Sequence, residues 1–350
     1  MNDDQKPRKK RLRSRKGAPG IVEVANRAGV SPATVSRFYN SPEIVGAATR
    51  KRIEKAAIDL GYIRDRMAGT LHNRFSGTIG VVVPTIDNAI FSELIQAFAA
   101  RLREHDRTML IAAHGYDLSL ETAIVRSLLE RRIDGVALIG FEHETAPLEM
   151  LAVRNVPVLV MWNYRSDSPL PCIGSDNFDA ARQAAVHLVE NGHEDIALLF
   201  PPTQQNDRAF DRLSGALAGL ERKIEDIPSN RFVETLYDVG AAKRSVVELL
   251  QTTRPTALIC GNDIIAQGAI YACQLLGLKI SQDISIIGIG DFGGSAHVEP
   301  ALTTVRLPAK RIGELSADYL IHGATASKDP KRISVPATLI ERNSVKNLLG

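Results

Sequence analysis

From residue 78 onwards, short runs of apolar residues alternate with longer amphipathic segments. The apolar runs are TIGVVVP (78–84), TMLIAA (108–113), DGVALIG (134–140) and VPVLVMW (156–162). The segments between them, near 90–105, 120–131 and 145–154, have apolar residues at helical spacing. This alternation predicts strands buried in a parallel sheet and separated by helices that cover both faces.

A second series of the same kind follows. It holds helices near 179–191, 208–222, 240–250 and 264–276, and strands at 194–200, 231–237, 256–261 and 284–290. Two series of similar length predict two doubly wound parallel α/β lobes with a cleft between them. Ligands of such sheets bind outside the carboxyl ends of the strands, so we expect the binding site there.

Residues 20–40 have a different pattern, with two short helical repeats joined by a tight turn. Val22, Ala25 and Ala28 recur at helical spacing, which predicts that they share one buried stripe. Gly29 can adopt the left-handed conformation that a sharp turn between two helices needs. A pair of short helices at this turn is therefore predicted.

The second helix of this pair begins with an N-cap residue, Ser31, followed by Pro32 at the first helical position, where a missing N–H costs little. Val35 is predicted to be buried, whereas the outside carries Ala33, Thr34, Ser36 and Arg37. This is the pattern of a helix-turn-helix whose second helix enters a DNA major groove. An ordinary helix pair in an α-helical domain is the alternative for so short a motif.

The residues around the helix-turn-helix indicate the domain division. A helix near 48–60 is predicted to close a three-helix core through Ile53, Ala56, Ala57 and Leu60. We predict a disordered basic tail at 1–18, a DNA-binding domain at 19–62, a hinge at 63–76 and a two-lobed domain at 77–343.

Charge is divided unevenly between these regions. The whole chain has 43 Lys and Arg against 40 Asp and Glu, whereas residues 1–75 have 17 against 7. Eight basic residues lie between Lys6 and Lys16, in a tail that either solubilises the chain or attracts phosphates. A basic module on an acidic body is typical of a nucleic-acid-binding protein and favours the helix-turn-helix over an ordinary helix pair.

Patterns for other functions are incomplete. The cysteines lack metal-ligand spacing, and the dispersed histidines His72, His105, His187, His193 and His322 are predicted to be surface or helix-end residues, so no metal or cofactor site is predicted. Residues 288–293 match G-x-G-x-x-G, but no helix follows at once, which favours a strand-end loop over a dinucleotide site. No catalytic constellation is found, which argues against an enzyme.

An ordered series of motifs resembles the lactose/galactose-repressor (LacI/GalR) family of bacterial transcription regulators. The motifs are VANRAGVSPATVSRFYN (24–40), TRKRIEKAAIDLGYI (49–63), RRIDGVALIG (131–140), NGHEDIALL (191–199), RLSGA (212–216), ALICGNDIIAQGA (257–269), QDISIIGIGDF (282–292) and PALTTVRLP (300–308). The segments most similar to gluconate-operon repressors are NSPEIV (40–45), AAHGYD (112–117) and SDNFDAARQ (175–183).

The resemblance implies an N-terminal three-helix headpiece, a hinge helix and a body like a type I periplasmic sugar-binding protein. It implies a first lobe at about 77–175 and 304–326, and a second at about 176–303 and 327–343. By the same resemblance the protein is a homodimer on a near-palindromic DNA operator, with each recognition helix in the major groove.

The resemblance also implies DNA contacts. The base-reading positions match Pro32, Ala33 and Arg37, of which only Arg37 can pair with guanine. The phosphate-contacting positions match Ser31, Thr34, Ser36, Asn40 and Thr49, and capping or plain exposure is the alternative for each.

The resemblance also has consequences for two residues of the predicted hinge. Leu71 matches the leucine that is wedged between base pairs in the minor groove, and its alternative is a hinge-core leucine. Arg64 stands where the family usually has a proline, which we expect to raise the cost of ordering the hinge.

For the cleft, the resemblance implies an effector site. The ligand-contacting arginine of the family matches Arg212, for which a structural salt bridge is the alternative role. The strand-end asparagine matches Asn262, which is followed by Asp263. A position in the apolar wall of the site matches Phe91. The aspartate that many sugar-binding members have is displaced by one residue, to Asp291. A displaced carboxylate favours a negatively charged ligand beside the arginine, so we predict a small carbohydrate or a sugar acid such as gluconate.

We therefore predict a ligand-responsive, sequence-specific DNA-binding regulator, a repressor of carbohydrate utilisation genes. No apolar run could span a membrane and none follows the basic N-terminus, so we expect a cytoplasmic protein that joins the nucleoid when bound to DNA. Residues 347–350 are too few for a heptad array, which favours a dimer over a tetramer. The alternative is a transport-type sugar-binding protein without a DNA role, which would not need residues 31–37.

Overall fold

The computed structural model describes residues 19–64, 75–322 and 330–349, which belong to two compact units that divide between Arg74 and Phe75. Residues 19–64 of the first unit form the helices α1 (Ile21–Ala28), α2 (Pro32–Asn40) and α3 (Ala47–Leu60). The predicted basic tail and most of the predicted hinge lie outside the described residues.

The three helices enclose a small core because one side of each is apolar. Val24 of α1, Val35 of α2 and Ile53 of α3 are fully buried. The prediction for Val22 was wrong, since this side chain is 51% exposed. The buried side of α1 is formed by Val24, Ala25 and Ala28, and Val22 does not lie on that side.

The second unit is the two-lobed body. Its strands are β1 (Thr78–Val83), β2 (Thr108–Ala113), β3 (Gly135–Ile139), β4 (Val158–Asn163), β5 (Cys172–Ser175), β6 (Ile196–Phe200), β7 (Phe232–Glu234), β8 (Ala257–Cys260), β9 (Ser285–Gly290), β10 (Thr303–Arg306), β11 (Arg332–Ser334) and β12 (Thr338–Ile340). Its helices are α4 (Ala89–Glu104), α5 (Glu121–Glu130), α6 (Thr145–Val153), α7 (Asn177–Glu190), α8 (Asp207–Gly219), α9 (Val239–Thr252), α10 (Asp263–Leu275) and α11 (Ala309–Ile321).

Each lobe is built on one six-stranded sheet. The first lobe has the order β11-β5-β4-β3-β1-β2, and the second has the order β12-β10-β9-β8-β6-β7. All strand pairs are parallel except β10 with β12. All residues of β3 and β9 are buried, which explains their continuous apolar sequences, since strands covered on both faces need no polar side.

The chain crosses between the lobes at places that differ in part from the prediction. The prediction put 304–326 in the first lobe, but β10 pairs with β9 in the second sheet. It put 327–343 in the second lobe, but β11 pairs with β5 in the first sheet. These strands have three or four residues each and pair with partners far away in sequence, so they leave no local periodic signal.

Among the described residues, no helix is both long and apolar enough to cross a membrane.

Candidate nucleic-acid interface and ligand cleft

The recognition helix α2 presents its outer side to solvent. Gly29 adopts a left-handed conformation with φ 64°, which turns the chain between α1 and α2 as predicted. Pro32, Ala33 and Arg37 are exposed. Within residues 19–64 the Arg37 guanidinium has no hydrogen bond or ion pair, so it is available to a ligand outside the chain.

The residues matched to phosphate contacts form local hydrogen bonds. The Ser31 hydroxyl accepts a hydrogen bond from the Thr34 N–H at 3.1 Å and lies 2.9 Å from the Thr34 hydroxyl. The Asn40 side-chain amide donates to the Ser36 hydroxyl at 3.3 Å. Thr49 lies in the first turn of α3, where its N–H donates to the Gly46 carbonyl. Capping therefore accounts for Ser31 without excluding a phosphate, because a hydroxyl oxygen can both donate and accept.

Arg64 joins the start of the linker to the end of the recognition helix. Its guanidinium donates to the Tyr39 carbonyl at 2.7 Å and to the Asn40 side-chain oxygen, and it lies 5.5 Å from the centre of the Tyr39 ring. A cation at a helix C-terminus also interacts favourably with the helix dipole. At the position where the family usually has a proline, this chain thus has an arginine that binds the C-terminal end of α2. Leu71, the predicted wedge, lies outside the described residues.

The cleft lies between the lobes, at the carboxyl ends of both sheets. The first lobe contributes residues that follow β1 and β2 and one residue near the end of β4. The second lobe contributes residues from the first turns of α8 and the start of α10 and from the loops after β7 and β9. The lining is formed by Asn88, Ile90, Phe91, Tyr116, Trp162, Arg208, Arg212, Tyr237, Asn262 and Phe292. Two arginines face this cavity, and none of the described aspartates and glutamates lines it, so its electrostatic character is cationic.

Arg212 is the most unusual charge of the cleft. Only 4% exposed, it donates to the Asn177 side-chain oxygen at 2.8 Å and to the Gly261 carbonyl at 2.9 Å. Both acceptors are neutral, and among the described residues Arg212 forms no salt bridge. Burial lowers the pKa of this guanidinium, because the charged form has lost its solvation. The salt-bridge alternative for Arg212 therefore has no support.

Phe91 and Asn262 lie beside Arg212 in the same cavity, as the resemblance implied. The Phe91 ring meets the Trp162 ring edge to face, with centroids 5.8 Å apart. Asn262 caps α10, and its side-chain oxygen accepts from the Ile265 N–H at 3.0 Å. An apolar wall and a fixed amide are thus placed beside the buried cation.

Asp263 anchors a loop beside the cavity. Its carboxylate accepts hydrogen bonds from the Ser295 hydroxyl at 2.5 Å, the Thr304 hydroxyl at 2.6 Å and the Phe292 N–H at 3.2 Å. Burial is the main reason that its pKa is raised. Asp263 lines a neighbouring cavity of about 450 Å³ and holds the loop that carries Phe292.

Asp291 is not brought to the cavity. Its carboxylate binds Arg306 and Arg342, each at 2.6 Å, and it does not line the cleft around Arg212. The structure therefore does not bring Asp291 together with Phe91, Arg212 and Asn262, and its carboxylate is occupied by two arginines. The two arginines come from β10 and from the segment after β12, so neither contact could be anticipated from local sequence.

A buried polar network joins the two lobes. The Asp207 carboxylate of the second lobe accepts from the Phe141 N–H at 2.8 Å and from the Asn163 amide at 3.0 Å. It also pairs with Arg208 at 2.9 Å, and Arg208 donates to the Ile139 carbonyl. Burial raises the pKa of Asp207, but Arg208 and the two hydrogen bonds outweigh it and lower the pKa overall.

The network reaches Arg212 through two asparagines. The Asn177 amide donates to the Asn163 side-chain oxygen at 3.0 Å, and the Asn177 side-chain oxygen accepts from Arg212. Asn163 closes β4 in the first lobe and Asn177 opens α7 in the second. The cationic group in the cleft is thus connected by hydrogen bonds to the contacts that hold the lobes together.

The lobes are closed around the cavity. The space beside Arg212 is only about 10 Å³, roughly the room for one water molecule. The Tyr116 and Tyr237 rings, one from each lobe, have centroids 6.0 Å apart and separate this space from a larger cavity of about 490 Å³. A sugar-sized ligand can therefore reach Arg212 only when the lobes or these rings move.

Several lining residues were missed by reasoning from the sequence. They are Tyr116, Trp162, Arg208 and Tyr237. Tyr116 and Tyr237 follow the ends of strands, Arg208 lies at the start of α8, and Trp162 lies near the carboxyl end of β4. These positions are the signal that could have found them. Trp162 also has a positive φ of 82°, a backbone conformation that sequence does not reveal.

Two family models match the chain. "Bacterial regulatory proteins, lacI family" matches residues 20–65, and "Periplasmic binding protein-like domain" matches residues 185–345. They correspond to the helix-turn-helix unit and to the later part of the two-lobed body.

Curated relatives and solved structures agree with these matches. The HTH-type transcriptional regulator GntR of Escherichia coli is 32% identical over 95% of this chain and 100% of its own length. The HTH-type transcriptional repressor PurR of Escherichia fergusonii is 31% identical over 93% of this chain and 96% of its own length. The lac repressor dimer bound to operator and the anti-inducer ONPF has a TM-score of 0.80 and 28% identity, covering 94% of this chain and 99% of that one.

Proposed function

Because the chain belongs to the LacI family of bacterial transcription regulators, we propose that it represses carbohydrate utilisation genes in response to a negatively charged sugar derivative, such as gluconate. The regulator binds operator DNA through its N-terminal unit and a small ligand through its two-lobed unit. A transport-type protein without a DNA role would not explain the match of residues 20–65.

On the DNA side, the proposed base contact is Arg37, with apolar contacts from Pro32 and Ala33. The support is the exposure of these three side chains on the recognition helix. The proposed phosphate contacts are Ser31, Thr34, Ser36, Asn40 and Thr49, and Leu71 is the proposed wedge. We further propose that the protein acts as a homodimer on a near-palindromic operator, since two symmetric recognition helices need two symmetric half-sites.

One observation supports the anionic effector most strongly, namely the burial of Arg212 without a carboxylate partner. A buried charge without a counter-charge is costly, and a ligand carboxylate that pairs with it removes this cost. Arg208 adds a second guanidinium to the same lining, although Asp207 compensates it. A neutral sugar would leave the charge of Arg212 uncompensated.

Isothermal calorimetry with the full-length protein tests this proposal. We expect binding of gluconate and related aldonates, and no binding of glucose at the same concentrations. Binding of neutral sugars alone would exclude the anionic effector while leaving the DNA-binding role intact.

The effector acts by shifting the equilibrium between open and closed lobes. A ligand shifts this equilibrium only by its difference in affinity for the two states. Asn177, the partner of Arg212, bonds across the cleft to Asn163, and Asp207 bonds to Asn163 as well. A ligand that pairs with Arg212 therefore favours a state in which these contacts hold the lobes together around a cavity widened to admit it. The coupling between effector and operator has the same magnitude in both directions.

Asp207→Asn should weaken this coupling. The substitution removes the counter-charge of the buried Arg208 and leaves the contacts to Phe141 and Asn163 impaired. We expect a loss of effector affinity of roughly tenfold or more, because breaking a buried pair costs about 3 to 5 kcal/mol and part of that cost falls on the closed state. Small-angle scattering should show a more open body. Asp167→Asn, at an exposed position, is the matched control, and equal effector affinities in the two variants would exclude a role of Asp207 in closure.

Arg64→Ala tests whether the contacts of Arg64 with the end of the recognition helix contribute to DNA binding. Loss of its contacts to Tyr39 and Asn40 should lower operator affinity by about 5- to 30-fold, equivalent to about 1 to 2 kcal/mol. Fluorescence anisotropy with labelled operator measures the change. Lys55→Ala removes the same charge from an exposed position on α3 and serves as the control. An equal loss in both variants would mean that Arg64 contributes only its charge.

A further inference from the structure

Two histidines and one aspartate meet at the ends of two neighbouring helices in the first lobe. His105 follows the last residue of α4, and His322 follows the last residue of α11. The two rings lie edge to face with centroids 5.6 Å apart, and Asp318 lies one helical turn before His322. The potential ligand atoms of the three side chains all lie within 4.8 Å of one another.

We propose that His105, Asp318 and His322 bind a divalent transition metal ion such as Zn²⁺. Two imidazole nitrogens and one carboxylate oxygen are a donor set typical of zinc, nickel and cobalt sites. Calcium and magnesium prefer oxygen ligands alone, so the two histidines disfavour them. Three protein ligands leave a position for water or for an external ligand. The sequence predicted surface histidines and no metal site. His105 and His322 are 217 positions apart, so no local spacing of ligands indicates that they meet in the fold.

The geometry needs only side-chain adjustments. Ligand atoms around tetrahedral zinc, with zinc–nitrogen distances near 2.0–2.1 Å, lie about 3.3 Å apart. His105 and His322 are exposed and Asp318 is half-buried, so rotation of these side chains can bring the ligand atoms together. Asp318 and His322 are four residues apart, which places them on the same face of α11.

The surrounding charge favours a cation. Both histidines lie at helix C-termini, where the helix dipoles contribute partial negative charge. One oxygen of Asp318 accepts a hydrogen bond from Arg101 Nε at 2.6 Å, and Arg101 also binds Glu104 at 2.6 Å. Arg101 therefore orients the carboxylate while Glu104 offsets the charge of the guanidinium.

The site lies near the starts of β1 and β2, and β2 is an edge strand of the first sheet. His105 precedes Thr108 by three residues, and the Thr108 N–H donates to the Gly77 carbonyl at 2.8 Å, just before β1. A bound metal would cross-link the ends of α4 and α11 at this edge, and the first lobe would resist unfolding more strongly.

Thermal unfolding and cobalt absorption test the site in the untagged, full-length protein after removal of metals. We expect ZnCl₂ at a hundredfold excess over its dissociation constant to raise the melting temperature by about 5 to 10 °C. CoCl₂ should produce a visible absorption band at one equivalent per chain. The double variant His105→Ala/His322→Ala should lose both effects, and Asp318→Asn should weaken metal affinity at least tenfold.

His297→Ala, which removes an exposed histidine elsewhere, should behave like the parent. Since His105 and His322 are exposed, the double variant should fold, and its melting temperature without metal checks this. An unchanged response to zinc and cobalt in the double variant would overturn the proposal, as would the absence of any response in the parent.

Discussion

Replacing Arg37 with alanine should reduce affinity for the operator by about 5- to 150-fold, the equivalent of about 1 to 3 kcal/mol for one bidentate contact with guanine. Pro32 and Ala33 offer only apolar contacts, so we expect Arg37 to supply most of the direct reading of bases by α2. Affinity for DNA of scrambled sequence should fall only slightly. Fluorescence anisotropy with an operator selected from random DNA and with a scrambled duplex measures both values.

The control for Arg37 is Lys51→Ala, which removes one exposed charge at the start of α3. A lost phosphate contact weakens binding to all sequences alike and lowers the dependence on salt concentration. If Arg37→Ala reduces affinity for operator and scrambled DNA by the same factor, Arg37 does not read bases.

Replacing Arg212 with glutamine should reduce gluconate affinity by about 30- to 5000-fold, equivalent to about 2 to 5 kcal/mol for one side of a buried ion pair. The melting temperature without ligand should change much less, because the hydrogen-bond partners of Arg212 in the described part of the chain are neutral. Calorimetry and thermal unfolding measure the two effects separately. Arg212→Lys, which keeps the charge but loses the forked geometry, should have an intermediate affinity.

Arg244→Gln is the matched control for Arg212, since it removes an exposed arginine from the same lobe. It should bind gluconate like the parent. Unchanged gluconate affinity in Arg212→Gln would remove Arg212 from the effector site, even if gluconate binds elsewhere in the body.

The fold of the body was largely predictable, because strands buried on both faces and helices buried on one face leave different periodic patterns. β2 and the start of α6 lie where the apolar pattern placed them. The short strands β5, β10, β11 and β12 and the helix α11 were not identified as elements, since they lie outside the two regular series. Their place depends on pairing with distant strands, which a local pattern cannot show.

The candidate site was predictable in part. Phe91, Arg212 and Asn262 meet in one cavity, as the family motifs implied, because each belongs to a segment that closely follows a strand. Asp291 could not be placed, since its carboxylate is directed by Arg306 and Arg342, and the latter is 51 residues away. The contacts of Asp207 across the cleft were missed for the same reason, as they depend on the closure of two separate lobes.

Operator affinity of the parent protein, measured with and without gluconate, tests most directly whether the cleft controls DNA binding. The account predicts a change of about 5- to 150-fold at saturating gluconate, the usual range of a coupling free energy of 1 to 3 kcal/mol. It predicts no change with glucose, and in Arg212→Gln it predicts that the same change requires gluconate concentrations about 30- to 5000-fold higher. An operator affinity that stays the same at gluconate concentrations that saturate the cleft would contradict it.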